Sequence, residues 1–188
     1  MRDKEAIGGM MMHSFCHMGG HEEVELCQGL QRLKQEHEPL RKQKQYLFEL
    51  AQAIGGDAGV QNWKERLLAL RKNVQVFINE LDPHSEREEG VLFPMMAQYI
   101  GRTSGPIAVM EYEHDQAKQR ITSFLAKTAE LPETVDRDSA MALADKIIQA
   151  YHILTEHFMK EENVLFPMAE RLLSDEEKEE LAEKISQI

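Results

Sequence analysis

The chain has 188 residues, 42% of them hydrophobic, which is room for one domain with a sizeable core and excludes wholesale disorder. With 22 Lys+Arg against 33 Asp+Glu, the formal net charge is -11, which argues against a phosphate-backbone partner and against docking on an anionic membrane. No apolar run reaches the ~18 residues of a spanning helix, and the N-terminus lacks a signal-peptide pattern, so the expectation is a cytoplasmic protein with no nucleic-acid or membrane partner.

In chain order, residues 1–21 read as an N-terminal arm. It carries Met10, Met11 and Met12, then His13, Cys16, His17 and His21, with Gly19 and Gly20 arguing against a continuous helix. Segments rich in Leu, Glu, Lys, Gln and Ala then predict four helices, over roughly 22–54, 60–99, 105–130 and 138–172. Gly55 to Gly59, Gly101 to Pro106 and Leu131 to Asp138 punctuate them. A tail helix is expected within 173–188, capped by Ser174. Short loops between long helices predict an all-α, up-down-up-down antiparallel four-helix bundle over 22–172.

Each helix carries an apolar stripe. The first runs through Leu26, Leu30, Leu33, His37 and Leu40, then Leu47, Ala51 and Ile54 after a weaker turn. The second runs Trp63, Leu67, Leu70, Val74, Phe77, Leu81, His84, Glu88, Val91, Met95 in alternating steps of four and three. The third holds Ile107, Met110, His114, Ala117, Ile121 and Phe124; the fourth holds Leu143, Ile147, Ala150, Leu154, His157, Glu161, Leu165 and Met168.

Six ionisable residues therefore stand where the pattern calls for Leu: His37, His84, Glu88, His114, His157 and Glu161. Unpaired burial costs on the order of several kcal/mol for each such group, so something must satisfy them. An internal repeat groups them further. HSEREEGVLFP (84–94) matches HFMKEENVLFP (157–167), and Glu36-His37-Glu38 matches Glu113-His114-Asp115. Two hairpins related by a pseudo-two-fold would bring all six together at mid-bundle. Four imidazoles and two carboxylates are the donors of a metal pair. They suit iron or manganese, zinc also fits the donor types, and the lack of thiolates argues against a Cys-type site. The order His-x-x-x-Glu is not the Glu-x-x-His of ferritin-type bundles.

On the paired EH-[E/D] and H-x3-E-E-x-V-L-F-P motifs, the chain resembles hemerythrin-like proteins of the HHE cation-binding family over residues 25–172. The resemblance implies a non-haem centre of two Fe ions. In it His37, His84, His114 and His157 are terminal ligands, Glu88 and Glu161 are bridging carboxylates, and an oxo, hydroxo or water bridge completes the core. Two departures speak against reversible oxygen carriage: oxygen carriers have a second His where Lys118 stands, and His-x4-Asp where this chain has His-x3-Glu. The ligand set is also similar to that of iron–sulfur-repair di-iron proteins. Those carry a small Cys-containing N-terminal domain, for which this chain has no room.

Around the six, Glu89 and Glu162 read as solvated or as supports of the ligands, and Glu36, Glu113 and Glu156 as exposed. Pro39 and Pro83 are expected to kink or interrupt their helices, with Asp82-Pro83 able to restart the second. Pro94 and Pro167 are expected to bend the helices leaving the site. Tyr112 and Tyr151 read as packing residues, or else as donors near the site, and His152 as a surface residue. Cys16 and Cys27 are expected reduced. Three functional classes remain: a module binding a small ligand such as O2, NO or peroxide, a redox enzyme of peroxidase-like or repair type, and an iron-responsive or structural metal protein. As no output domain is fused, sensing would require a protein partner.

Overall fold

A computed structural model describes residues 24–56 and 62–188. The N-terminal arm, with His13, Cys16, His17 and His21, and part of the first loop lie outside the described residues.

Helix α1 spans Gln28–Gln52, α2 Trp63–Arg87 and α3 Phe93–Ile100; α4 spans Pro106–Ala129, α5 Arg137–Lys160, α6 Phe166–Leu172 and α7 Asp175–Ser186. Two π-helical turns, Glu88–Leu92 and Glu161–Leu165, join α2 to α3 and α5 to α6. No strand occurs among the described residues. The long helices pack in the ring α1–α2–α4–α5, each touching the next, as expected of an antiparallel bundle with short connections.

The helix ends follow their sequences. Asn62 and Asp136 accept backbone N–H bonds from Glu65 and Ser139. Ser174 and Glu177 form the reciprocal capping box that starts α7. Gly101 ends α3 and Gly105 precedes Pro106, both with positive φ, so the 101–106 loop reverses the chain where a side chain would be strained. Helix α7 folds back along α1 at Gly29, where an added Cβ would stand 2.8 Å from the Leu181 side chain.

The core has two parts with the polar layer between them. One, from Leu40, Leu81, Ala117 and Leu154 onward, fills the end bearing Ile54, Trp63, Leu131 and Val135; the other, around Leu30, Phe93, Met96, Ile107 and Phe166, is closed by Leu181 and Ile185 of α7. Every position of the second and third predicted stripes is buried. In the fourth, Leu143 is half-buried while Ala140 and Ala144 take the interior, and Ala169 replaces Met168. In the first, the weaker turn holds a buried cation, Lys44.

Pro39 and Pro83 lie inside unbroken helices, and Asp82-Pro83 starts no new one. A proline removes one intrahelical bond, and the packed stripes on both sides hold the helix through it. Irregular backbone falls on the ligand-bearing turns, just before Pro94 and Pro167.

Candidate metal centre

Each long helix sends one imidazole inward: His37 from α1, His84 from α2, His114 from α4 and His157 from α5. The two carboxylates come from the first residue of each π turn, Glu88 and Glu161. A π turn carries an extra residue per turn, and such turns occur often at functional sites. Here Phe93 N–H bonds Glu88 C=O and Phe166 N–H bonds Glu161 C=O, five residues back. Pro94 and Pro167 have no N–H to continue the α pattern at those points. All six side chains are 4% exposed or less.

Their inward atoms converge. Nε2 of His37 faces Nε2 of His84 at 3.1 Å, and Nε2 of His114 faces Nε2 of His157 at 2.8 Å. Glu161 lies 3.3 Å from His37 and 3.1 Å from His157; Glu88 lies 3.3 Å from His84 and 3.5 Å from His114. Two overlapping groups result, His37–His84–Glu88–Glu161 and Glu88–His114–His157–Glu161, with donor atoms of each within 4.8 Å of one another. Both carboxylates belong to both groups.

The outward nitrogens explain why the inward ones are free. Nδ1–H of His37 donates to Glu162 at 2.6 Å, that of His84 to Glu36 at 3.0 Å, that of His114 to Glu89 at 2.6 Å and that of His157 to Glu113 at 3.2 Å. With Nδ1 bearing the proton in the neutral ring, each Nε2 is the atom that offers the centre a lone pair for a metal or takes up a second proton. Each outer carboxylate has its own cation: Arg41 on Glu162, Arg87 on Glu36, Lys118 on Glu89 and Lys160 on Glu113. Glu88 and Glu161 have none, and no described residue hydrogen-bonds any of their four buried oxygens. Buried polar atoms are rarely left so. Four inward imidazole nitrogens and two buried carboxylates around one point fit divalent or trivalent cations, and the donor types suit iron.

Titration behaviour points the same way. Burial opposes charge on His37 and His157, yet the surrounding carboxylates outweigh it and raise them to about 9 and about 10. His114 is raised as well, by Glu88 and Glu89 against burial. Burial works against charge on Glu161 too, but His157 and His37 hold its carboxyl well below the usual range. The His114 bond is the main cause that brings Glu89 down to about 2. The centre favours positive charge, which metal cations and protons can each supply.

Aromatic rings pack against the imidazoles. Phe158 stacks on His37 at 4.2 Å between centroids, and Phe166 and Phe93 flank His37 and His114 at 5.7 Å each.

The structure thus brings together all six residues singled out on the stripes. It corrects the placement of Glu36 and Glu113, which are largely buried against His84 and His157 rather than exposed; Glu156 is exposed. Glu89 and Glu162 support histidines. Lys118 turns away from the centre to Glu89. Tyr112 is exposed, Tyr151 stacks on Phe48 and donates to Gln45, and His152 is exposed. Cys27 is free and half-buried, its backbone N–H on Glu170. Sequence reasoning missed Arg41, Arg87, Lys118 and Lys160 as anchors, although the repeat carries a signal for them. Arg41 and Lys118 each follow an EH histidine by four residues, and Arg87 and Lys160 each follow the other histidine by three.

An antiparallel helical bundle with a buried histidine–carboxylate layer built for cations defines the class: a metal-binding four-helix protein. The chain belongs to the hemerythrin family, whose model, the hemerythrin HHE cation binding domain, matches residues 28–183. It is similar to the iron-sulfur cluster repair protein YtfE of Musicola paradisiaca (strain Ech703), 36% identical over 104 residues, which are 54% of this chain and 47% of that one. The like-named protein of Salmonella schwarzengrund (strain CVM19633) is 37% identical over 102 residues, 53% of this chain and 46% of that one. Each match thus spans about half the length of these curated relatives. No helix among the described residues is long and apolar enough to cross a membrane.

Proposed function

We propose that the chain holds two non-haem irons at mid-bundle and binds or reacts with a small ligand such as O2, NO or peroxide there. His37 and His84 would hold one metal and His114 and His157 the other, with Glu88 and Glu161 placed within reach of both groups. The observation that carries this reading is the set of four buried, unbonded carboxylate oxygens faced by four inward imidazole nitrogens. Six protein ligands for two metals leave positions open, and bound iron would supply redox chemistry and ligand affinity at those positions.

The chain's own residues prepare that chemistry. The outer carboxylates keep each proton on Nδ1 and each Nε2 aimed inward. Glu88 and Glu161 supply the charge that retains both cations, and Phe158, Phe166 and Phe93 pack against the imidazoles.

The decisive experiment is metal content per chain with an absorption spectrum before and after reduction. About two irons per chain in the wild type, and one or none in Glu161→Gln with the helical content kept, would establish the bridge. Unchanged stoichiometry in that variant would overturn it, and zinc in place of iron would overturn the redox reading. The relatives named for iron-sulfur cluster repair favour a second reading, in which the centre serves such repair. Reactivation of a damaged iron–sulfur enzyme by the iron-loaded chain, absent with Glu161→Gln, tests it.

A further inference from the structure

Glu36 stands apart from the other three carboxylates that support the histidines. Among the described residues, Glu162, Glu89 and Glu113 each rest on one cation, Arg41, Lys118 and Lys160, whose side chains are 38%, 42% and 40% exposed. Glu36 holds two, Arg32 at 3.1 Å and Arg87 at 3.3 Å, and the Arg87 side chain is only 12% exposed. Arg87 is tied elsewhere as well: its Nε–H donates to the C=O of Ile185 at 3.2 Å. Ile185 lies in the last turn of α7, where a helix leaves its carbonyls without intrahelical partners and carries partial negative charge. A guanidinium presents several donors in a fixed fork, so it can hold a carboxylate and such a carbonyl at once. The ammonium of Lys160, at the matching place in the repeat, bonds Glu113 alone.

A continuous chain of hydrogen bonds thus runs from α7 into the polar layer: the Ile185 carbonyl, Arg87, Glu36, His84. Helix α7 is firmly seated at its other contacts. Leu181 and Ile185 are fully buried, Leu181 packs on Gly29 of α1, and α7 also lies against the π turn that begins with Glu88. Apolar packing of this kind seats a helix without a guanidinium drawn from water to meet its end, so the Arg87 tie has another use. Among the described residues nothing equivalent reaches the other half, where no residue of α7 bonds Glu113, Lys160 or His157.

We infer that α7 is a positioning element of the metal centre: acting through Arg87 and Glu36 it fixes His84, so that the cation held by His37 and His84 depends on the docking of α7 and the cation held by His114 and His157 does not. The two copies of the repeat are thereby made unequal by a helix that belongs to neither. The inference rests on the metal-binding reading above, but the tie to His84 can be tested without metal.

Gly29→Ala disturbs α7 without altering any residue of the layer, because the added Cβ would stand 2.8 Å from the Leu181 side chain and 3.2 Å from the backbone N of Ala182. In the full chain stripped of metal by a chelator, NMR reads the exchange of the His84 Nδ1 proton with water. Gly29→Ala is expected to speed it several-fold and to leave that of His157 unchanged. Arg87→Lys keeps a cation for Glu36 but gives up the Ile185 carbonyl, so adding Gly29→Ala to it should bring no further change. Should Gly29→Ala lose helical content, Leu181→Ala loosens the same contact. Exchange at His84 that ignores these variants, or that responds to them equally in the wild type and in Arg87→Lys, overturns the inference. The second arm uses zinc alone against a competing chelator. In Arg87→Met one of the zinc ions should be held about 10–100-fold less tightly, the usual effect of losing a ligand's support, and the histidine ring resonances should place the loss at His37 and His84. No loss, equal loss at both pairs, or loss at His114 and His157 overturns it. If the wild type takes up neither zinc nor iron, the functional reading fails, and the His84 proton still decides whether α7 positions that residue.

Discussion

His37 shows how one side chain is fixed at both ends. Its Nδ1–H is held by Glu162, itself held by Arg41, and its Nε2 is thereby left to face Glu161 and His84. Glu162→Gln keeps an acceptor but loses the charge. Metal affinity, measured by competition with a chelator, is expected to fall about 10–100-fold, the usual effect of losing such a support. Glu156→Gln, on the exposed face, should leave it unchanged. Lys44 makes a second residue-scale prediction. Burial first, and Arg41 second, lower it from 10.5 to about 8. The folded state therefore binds this proton less tightly than the unfolded state. The stability present above about pH 10.5 is lost as pH falls toward 8 and stays lost below it. Lys44→Met should raise Tm at pH 7 by about 2–4 °C, the response of a chain this size to ~1 kcal/mol. The gain should shrink above pH 10; a gain independent of pH would refute the charge argument. Lys44 was not legible in the sequence, because a lysine on a weak turn reads as surface. Glu36 and Glu113 were misread for a similar reason: one residue from a stripe is solvent on an isolated helix, but here a neighbouring helix supplies a histidine.

At the scale of elements, the stripes were legible because bundle packing demands their spacing, and the loops because Gly101, Gly105 and Pro106 leave few alternatives. The π turns were not. A run through His84, Glu88, Val91 and Met95 has the same steps whether or not one turn is widened, and only the burial of Ala169 in place of Met168 betrays the inserted residue. Pro94 and Pro167 marked the places where the backbone leaves the α pattern, but not that it does so by a π turn. Gly90 sits in the first π turn on the exposed side, and a Cβ there would meet nothing within 4 Å. Gly90→Ala should therefore stabilise the chain by roughly 0.5–1 kcal/mol through the unfolded state. Denaturant unfolding checks it, with metal content as the control. Destabilisation would mean that the widened turn needs the freedom of glycine.

For the whole molecule, the polar layer divides the core and concentrates buried charge that bound cations would offset. In the metal-free chain His37 and His157 are raised to about 9 and about 10 from 6.5. Their contribution to stability is complete below about pH 6.5 and is lost as pH rises through 9 to 10. Metal competes with those same protons and binds better as pH rises. Calorimetry should show the Tm of chelator-treated protein falling between pH 6.5 and 10. The gap to the iron-loaded form should widen over that range. Parallel curves would count against metal and protons sharing the site.

The cross-bracing of the layer also bears on inheritance. The half containing α1 and α2 supplies His37 and His84, but His37 is held by Glu162 from the other half, and His114 is held by Glu89 in return. Each cluster includes one inner carboxylate from each half as well. The two copies of the repeat have thus become mutually dependent. Neither can be lost, exchanged or allowed to drift in its ligand-bearing turn without disrupting both clusters, so the pair must change in concert or not at all.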